Sequence, residues 1–316
     1  MNEEQTAVIE EVRRVADESI APHAADVDAQ GRFPREAVDA LAQAGLLGLT
    51  IPVEYGGMGQ SIRVACAALD EIAQRCASTA MIYLMHLSGC SCYIARPPAV
   101  EDTLRQVARG EHLTTLAWSE KGSRSHFWAP VNQATQNNGR IVLNAEKSFV
   151  TSASEAEGYV VSTRTAGGEE PTDTTLYLLL KEDKGFTVSD RWNGLGMRGN
   201  ASAPMTLENC EIPVGRALCE PSDGFRTMLE VVLPWFNPGN AAVSVGIAEA
   251  ATASTLSHLT SARLEHLDSR LCDLPILRAR LAQMRIKTDR ARAHLASVID
   301  AVENPGPNTV LLVLES

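Results

Sequence analysis

Leu113-Thr114-Thr115-Leu116-Ala117-Trp118 marks the point at which the hydrophobic rhythm of the chain changes. Before it, apolar residues recur at helical spacing; after it they come in short runs that suit strands. The runs are Leu113 to Trp118, Gln133 to Gln136, Arg140 to Val150, Gly158 to Thr163, Thr174 to Leu180 and Met205 to Ile212. Asn137-Asn138-Gly139, Gly167-Gly168 and Asp183-Lys184-Gly185 separate them as turns. Short strands with no long helix between them predict an antiparallel sandwich or barrel, not a parallel sheet.

Working outward, the upstream segment reads as about five helical elements. Thr6 to Ile20 carries Val8, Ile9, Val12, Val15 and Ala16 near one face, and Pro22 is read as its end. Pro34 opens the next helix, Ala37, Val38, Leu41 and Ala42 form its stripe, and Gly45 stops it. Ile62 to Cys76, Thr79 to Ala95 and Val100 to Ala108 follow. Downstream, helical spacing returns after Ser222-Asp223-Gly224, with Phe225 to Leu233, Gly239 to Leu259 and Leu274 to Val302. Asn304-Pro305-Gly306-Pro307 breaks the last of these. Asn308 stands where it would cap one more helix, on which Val310, Leu311 and Leu314 share a stripe. The expected class is α+β. It has an N-terminal helical domain over 1–112, a middle antiparallel β-domain over 113–221 and a C-terminal helical bundle over 222–316 that is read as truncated.

The 316 residues are 45% hydrophobic and 21% charged, a globular balance long enough for about two domains. Lys and Arg number 28 against 39 Asp and Glu, and a net charge of −11 disfavours binding a nucleic-acid backbone. No apolar run reaches the roughly 20 residues of a membrane span, so none is expected. Glu3, Glu4, Glu10 and Glu11 occupy the place of a secretory signal's basic and apolar regions, so a cytoplasmic location is expected. Seven scattered cysteines form no disulfide framework. His86, Cys90 and Cys92 lack zinc-site spacing, and no metal is expected.

Four stretches carry more specific information. They are Ile51-Pro52-Val53-Glu54-Tyr55-Gly56-Gly57-Met58-Gly59, Leu116-Ala117-Trp118-Ser119-Glu120-Lys121-Gly122-Ser123-Arg124-Ser125-His126, Lys147-Ser148-Phe149-Val150-Thr151-Ser152-Ala153, and Leu195-Gly196-Met197-Arg198-Gly199-Asn200-Ala201. With the order helices, strands, helices, they resemble the acyl-CoA dehydrogenase family. That family writes them Pro-Glu-Tyr-Gly-Gly-x-Gly, Thr-Glu-Pro-Gly-x-Gly-Ser-Asp, Lys-x-Trp-Ile-Thr-Asn-Ala and Leu-Gly-x-Arg-Gly. The resemblance runs along the whole chain, which corresponds to about the first three quarters of a usual member.

The resemblance implies FAD as cofactor, and no Gly-x-Gly-x-x-Gly turn speaks for a nicotinamide. It implies that Leu116, Trp118 and Ser119 at one strand end, and Phe149 and Thr151 on a second strand, line the flavin, with the Ser119 hydroxyl near N5. Ser125 matches a serine at the flavin and acyl-CoA. Lys121, Arg124 and His126 replace Pro, Gly and Asp. Arg124 and His126 are therefore candidate substrate contacts, or, with Lys121, ordinary polar groups of a surface loop. In one branch of the family the first long bundle helix holds a catalytic glutamate; here Phe236 and Asn237 align with it, between Pro234 and Pro238. No catalytic base is assigned. Of the family's Arg-x-x-Phe-Gly, only Arg263 is retained in Arg263-Leu264-Glu265-His266-Leu267.

The implied reaction is α,β-dehydrogenation of an acyl-CoA thioester, in which a carboxylate takes the α-proton and hydride passes to the flavin. Implied partners are an electron-transfer flavoprotein or other acceptor, and further copies of the chain in a homodimer or homotetramer if the bundle is complete. Two alternatives stand beside it: a flavin-dependent monooxygenase or oxidase of the same fold, and a truncated, non-catalytic chain that binds flavin or acyl-CoA.

Overall fold

Helix α1 (Glu3–Val15) begins with a capping box: Asn2 Oδ1 accepts from the Gln5 N–H, and Gln5 Oε1 accepts from the Asn2 N–H. The computed structural model describes residues 1–124, 126–189 and 193–316. Pro22 does not end the first helical stretch as expected. A π turn (Ala16–Ile20) and a 3-10 turn (Ala21–His23) carry the chain into α2 (Ala24–Gln30), because Pro22 falls in a fresh first turn that has no use for its missing N–H. Helices α3 (Arg35–Gln43), α4 (Ile62–Ala73), α5 (Ala77–Ala95) and α6 (Glu101–Ala108) follow. Gly45, at φ 72°, terminates α3 in the left-handed region, as its position predicted.

The strands are β1 (Thr114–Ala117), β2 (Thr135–Asn137), β3 (Arg140–Val150), β4 (Gly158–Arg164), β5 (Thr174–Leu180), β6 (Phe186–Val188) and β7 (Ala203–Pro213). They form two sheets, ordered β1-β4-β5 and β2-β3-β7-β6. Every pairing within them is antiparallel except β1 with β4, which is parallel, so the expectation of an antiparallel domain needs this correction. Between β1 and β4 the chain crosses to the other sheet to make β2 and β3, and a connection of that length lets β4 return in the direction of β1. Strand β6 carries no periodic signal of its own. Ile141, Leu143, Tyr159, Val161, Leu179 and Leu207 fill the space between the sheets.

C-terminal to the sheets, α7 (Gly224–Thr227) and a π turn (Met228–Val232) lead into α8 (Leu233–Ser261). Pro234 sits in the first turn of α8 and Pro238 is accommodated within it, so both prolines lie inside a continuous helix. A two-residue hairpin pairs Arg263–Leu264 with Ser269–Arg270, and α9 (Pro275–Glu303) and α10 (Thr309–Glu315) complete the chain. The Asn308 side chain makes no cap. Instead Thr309 Oγ1 accepts from the Gly306 N–H at 2.8 Å and donates to the Ala301 carbonyl at 3.1 Å. Val310, Leu311 and Leu314 are exposed and Val313 is buried.

The N-terminal and C-terminal helices share one core, in which Leu69, Ile72 and Leu84 join Ala242, Val243, Val245, Leu295 and Ile299. At Gly246 a Cβ would lie 2.5 Å from the Asp70 carbonyl, so α4 and α8 meet backbone to side. Arg292 pairs with Asp70, Arg285 with Glu249 at 2.7 Å, and Arg63 with Asp300 at 2.7 Å, which fastens α9 to α4 and α8. Where α5 meets β1, His86 Nε2 bonds the Leu47 carbonyl at 2.8 Å while Nδ1 accepts the Thr114 N–H at 3.1 Å, the pattern of a neutral imidazole. Tyr93 Oη lies 2.6 Å from Thr114 Oγ1 and 3.4 Å from His112 Nε2. Burial lowers the pKa of His86 to about 4 and that of His112 to about 3. No described helix is long and apolar enough to cross a membrane, and no described group of three His, Cys, Asp or Glu could hold a metal.

Candidate functional site

The segment that leaves β1 runs antiparallel to the end of β3. Lys121 donates its N–H to the Glu146 carbonyl at 3.0 Å, Ser148 donates to the Ser119 carbonyl at 2.8 Å, and Glu120 lies opposite Lys147. This short ribbon joins the two sheets. A bulge then interrupts β3 between Lys147 and Val150, and Phe149 takes φ 54°, which turns its ring outward with 68% exposure.

The bulge and the helix start at Val232 face one another across a cavity of about 190 Å3. Leu116, Trp118, Ser119, Phe127, Ser148 and Phe149 line it from the strand side. Met85 on α5, and Val232, Leu233, Phe236 and Asn237 at the start of the last long helices, close the other side. Trp118 and Phe127 stack with centroids 5.9 Å apart, and Trp128 meets the edge of Phe127 at 5.1 Å. Asn237 Nδ2 donates to the Val313 carbonyl at 2.9 Å, so α10 holds the amide. All eleven described lining side chains are uncharged. The indole Nε1–H of Trp118 is buried and has no hydrogen-bond partner among the described residues.

Beneath the ribbon lies a fully buried ion pair, Lys147 Nζ to Glu120 Oε1 at 2.7 Å. Lys147 also donates to the carbonyls of Ser162 at 2.5 Å and Trp118 at 3.4 Å. Glu120 Oε2 accepts from the backbone N–H of Val131 at 2.7 Å and from the N–H and side-chain amide of Asn132, each at 3.0 Å. Burial pushes the Lys147 ammonium below its ordinary pKa, and the adjoining Glu120 carboxylate opposes that shift.

Of the residues singled out in the sequence, Leu116, Trp118, Ser119 and Phe149 come together in the cavity. Thr151 lies past the bulge, buried, with Oγ1 3.3 Å from Ser202 Oγ, and is not among the lining residues. Arg124 and His126 are exposed on the loop that leads to Phe127; Arg124 has φ 49°, and His126 Nδ1 donates to the Ser123 carbonyl at 2.9 Å. Ser125 lies outside the described residues. Sequence reading assigned no role to Met85, Phe127, Ser148, Val232 or Leu233. The adjacent rings of Phe127-Trp128, directly after the strand-end motif, were the available signal.

Three family models match consecutive parts of the chain. They are the acyl-CoA dehydrogenase N-terminal domain over residues 2–111, the middle domain over 115–210 and the C-terminal domain over 239–316. The chain belongs to the acyl-CoA dehydrogenase family. A probable acyl-CoA dehydrogenase of Mycobacterium bovis is 30% identical over 310 residues, which is 97% of this chain and 78% of that protein. Butyryl-CoA dehydrogenase of Megasphaera elsdenii has the same fold at a TM-score of 0.91 and 20% identity, over 99% of this chain and 82% of that one. A glutaryl-CoA dehydrogenase of Mycobacterium smegmatis in complex with FADH2 superimposes at 0.87 with 18% identity, over 99% and 80%. Phe236 and Asn237, both uncharged, are part of the cavity wall.

Proposed function

We propose that the chain is a FAD-dependent enzyme that dehydrogenates an acyl-CoA thioester, with the flavin ring seated in the cavity between Trp118 and Phe236. The uncharged, aromatic-walled cavity carries this reading: Trp118, Phe127, Phe149 and Phe236 offer flat apolar faces of the kind that hold a planar ring. The Ser119 and Ser148 hydroxyls add polar groups of the kind that orient such a ligand, and the remaining wall is apolar. When bound, the flavin supplies the hydride-accepting chemistry.

The chain's own residues bind, orient and exclude water. With FAD bound, the Ser119 hydroxyl would donate to the ring's polar edge, while Trp118, Phe127, Phe236 and Met85 would keep solvent from the ring. Phe149, turned out by the bulge, covers the mouth. Arg124 and His126, exposed on the same loop as Phe127, are proposed contacts for the coenzyme A portion. An electron-transfer flavoprotein or similar acceptor is the proposed electron partner.

Removal of an α-proton needs a base within hydrogen-bond reach; the described lining residues contain no carboxylate, and the chain spans 78% of the length of the Mycobacterium bovis relative. A flavin-dependent monooxygenase or oxidase of the same fold, in which reduced flavin reacts with oxygen, is the second reading. FAD titration followed by anaerobic mixing with short, branched, long and aromatic acyl-CoAs tests both. Bleaching of the flavin absorbance supports dehydrogenation. Oxygen consumption with externally supplied reduced flavin above the rate of a protein-free control, without bleaching by any thioester, supports the second reading. Absence of any spectral change on adding FAD overturns both.

A further inference from the structure

We infer that the buried Glu120–Lys147 pair is a positioning device for the cavity: without touching the ligand, it holds the Trp118–Ser119 and Ser148–Phe149 segments at the spacing that grips a flavin ring. This rests on the proposed seat of the flavin. Each partner is the immediate neighbour of a lining residue, Glu120 of Ser119 and Lys147 of Ser148, and both side chains are fully buried on the opposite side of the ribbon. Lys147 reaches the carbonyl of Trp118, whose indole faces the cavity, and the carbonyl of Ser162 on β4. Glu120 gathers Val131 and Asn132, at the far end of the loop that carries Phe127. Two side chains thus tie together four segments: the exit of β1, the end of β3, the middle of β4 and the return of the aromatic loop.

An apolar pair of similar volume would avoid taking two charges out of water, which commonly costs more than their attraction returns, but it would leave the Val131 and Asn132 N–H groups without their acceptor. Directional bonds are what apolar side chains cannot supply. Without them the ribbon keeps its backbone bonds at Lys121 and Ser148 and the exposed Lys121–Glu146 ion pair at 3.3 Å to set the distance between its two edges.

The test compares the full chain with Glu120→Gln, Lys147→Met and the double variant. The double variant removes both charges but keeps an amide oxygen for the Val131 and Asn132 N–H groups, so its urea midpoint should stay close to that of the wild type, while its FAD dissociation constant rises about tenfold, the weight of the lost charge-assisted bond, with a shifted flavin absorption envelope. Independently of FAD, amide exchange at Lys121 and Ser148 should quicken about tenfold, with the β4–β5 amides unchanged. Unchanged FAD affinity together with unchanged exchange at these two amides overturns the inference. If the wild type binds no FAD, the proposed function fails, and the exchange measurement then decides the positioning role by itself. Should the double variant fail to fold, Glu120→Gln, which keeps an acceptor for the loop amides but loses the charge that holds Lys147, is read by the same two measurements and should move both in the same direction by a smaller factor.

Discussion

Acidification from pH 7 to pH 5 should weaken the fold through His86 and His112 at the junction of α5 and β1. Both imidazoles are neutral in the folded chain, with pKa values lowered by burial from 6.5 to about 4 and about 3. The unfolded chain therefore binds more protons below pH 6.5, and stability falls as pH falls until each folded value is reached. At about 1.4 kcal/mol per unit, 1.5 units below 6.5 costs about 2 kcal/mol for each histidine at pH 5, or about 4 kcal/mol together. That is a large part of the 5–15 kcal/mol typical of folded domains. Protonation at Nδ1 of His86 would also turn the acceptor of the Thr114 N–H into a donor. The lowered carboxylates Glu249 and Glu303 act only below their ordinary value of 4.5, so this interval isolates the histidines. Urea unfolding at the two pH values, for the wild type and for His86→Gln/His112→Asn, reads the effect as a shift in midpoint. The variant starts less stable and its midpoint should be nearly flat between pH 7 and 5. A wild-type midpoint that does not move, or a variant with the full wild-type dependence, refutes the reasoning.

Ser119→Ala should weaken FAD binding about tenfold, and by more than Thr151→Val, because the Thr151 hydroxyl already faces that of Ser202; equal losses in flavin titration would move the seat of the ring. Gly246→Ala would put a methyl group 2.5 Å from the Asp70 carbonyl and should cost about 1–3 kcal/mol in chemical denaturation, whereas Gly139→Ala meets nothing within 4 Å and should cost only the strain of its left-handed φ. Arg292→Met leaves the largely buried Asp70 carboxylate without its charge partner and should lower the thermal midpoint, with partial recovery in Asp70→Asn/Arg292→Met; no recovery would argue against coupling of α4 and α9 through this pair.

Much of the cavity was legible from the strand-end motif. Leu116, Trp118 and Ser119 are neighbours in sequence, and a strand end keeps neighbours together whatever the packing. Phe149 was legible as a motif residue, but not its direction: only the bulge, a register event between β3 and β7, turns it outward and leaves Thr151 bonded to Ser202. Phe236 and Asn237 were read as the place of a lost base between two helix-breaking prolines. They lie instead on a continuous helix and form part of the cavity wall, because Pro234 occupies a first turn. The pairing of Glu120 with Lys147 spans 27 positions, and no periodicity connects them.

By itself, the sequence determined what depends on local periodicity and short motifs: the succession of helices, strands and helices, the Gly45 stop and the strand-end cluster around Ser119. Those features are written in residues a few positions apart, where backbone propensity and side-chain alternation act directly. Tertiary structure decided the parallel pairing of β1 with β4, the passage of α8 through Pro238, the shared core of the first and last helices, and the meeting of Met85, Trp118, Phe149 and Phe236 around one cavity. Each of these depends on which distant surfaces bury one another. That choice is made by packing and by the satisfaction of buried polar groups across the whole chain, and no local pattern encodes it.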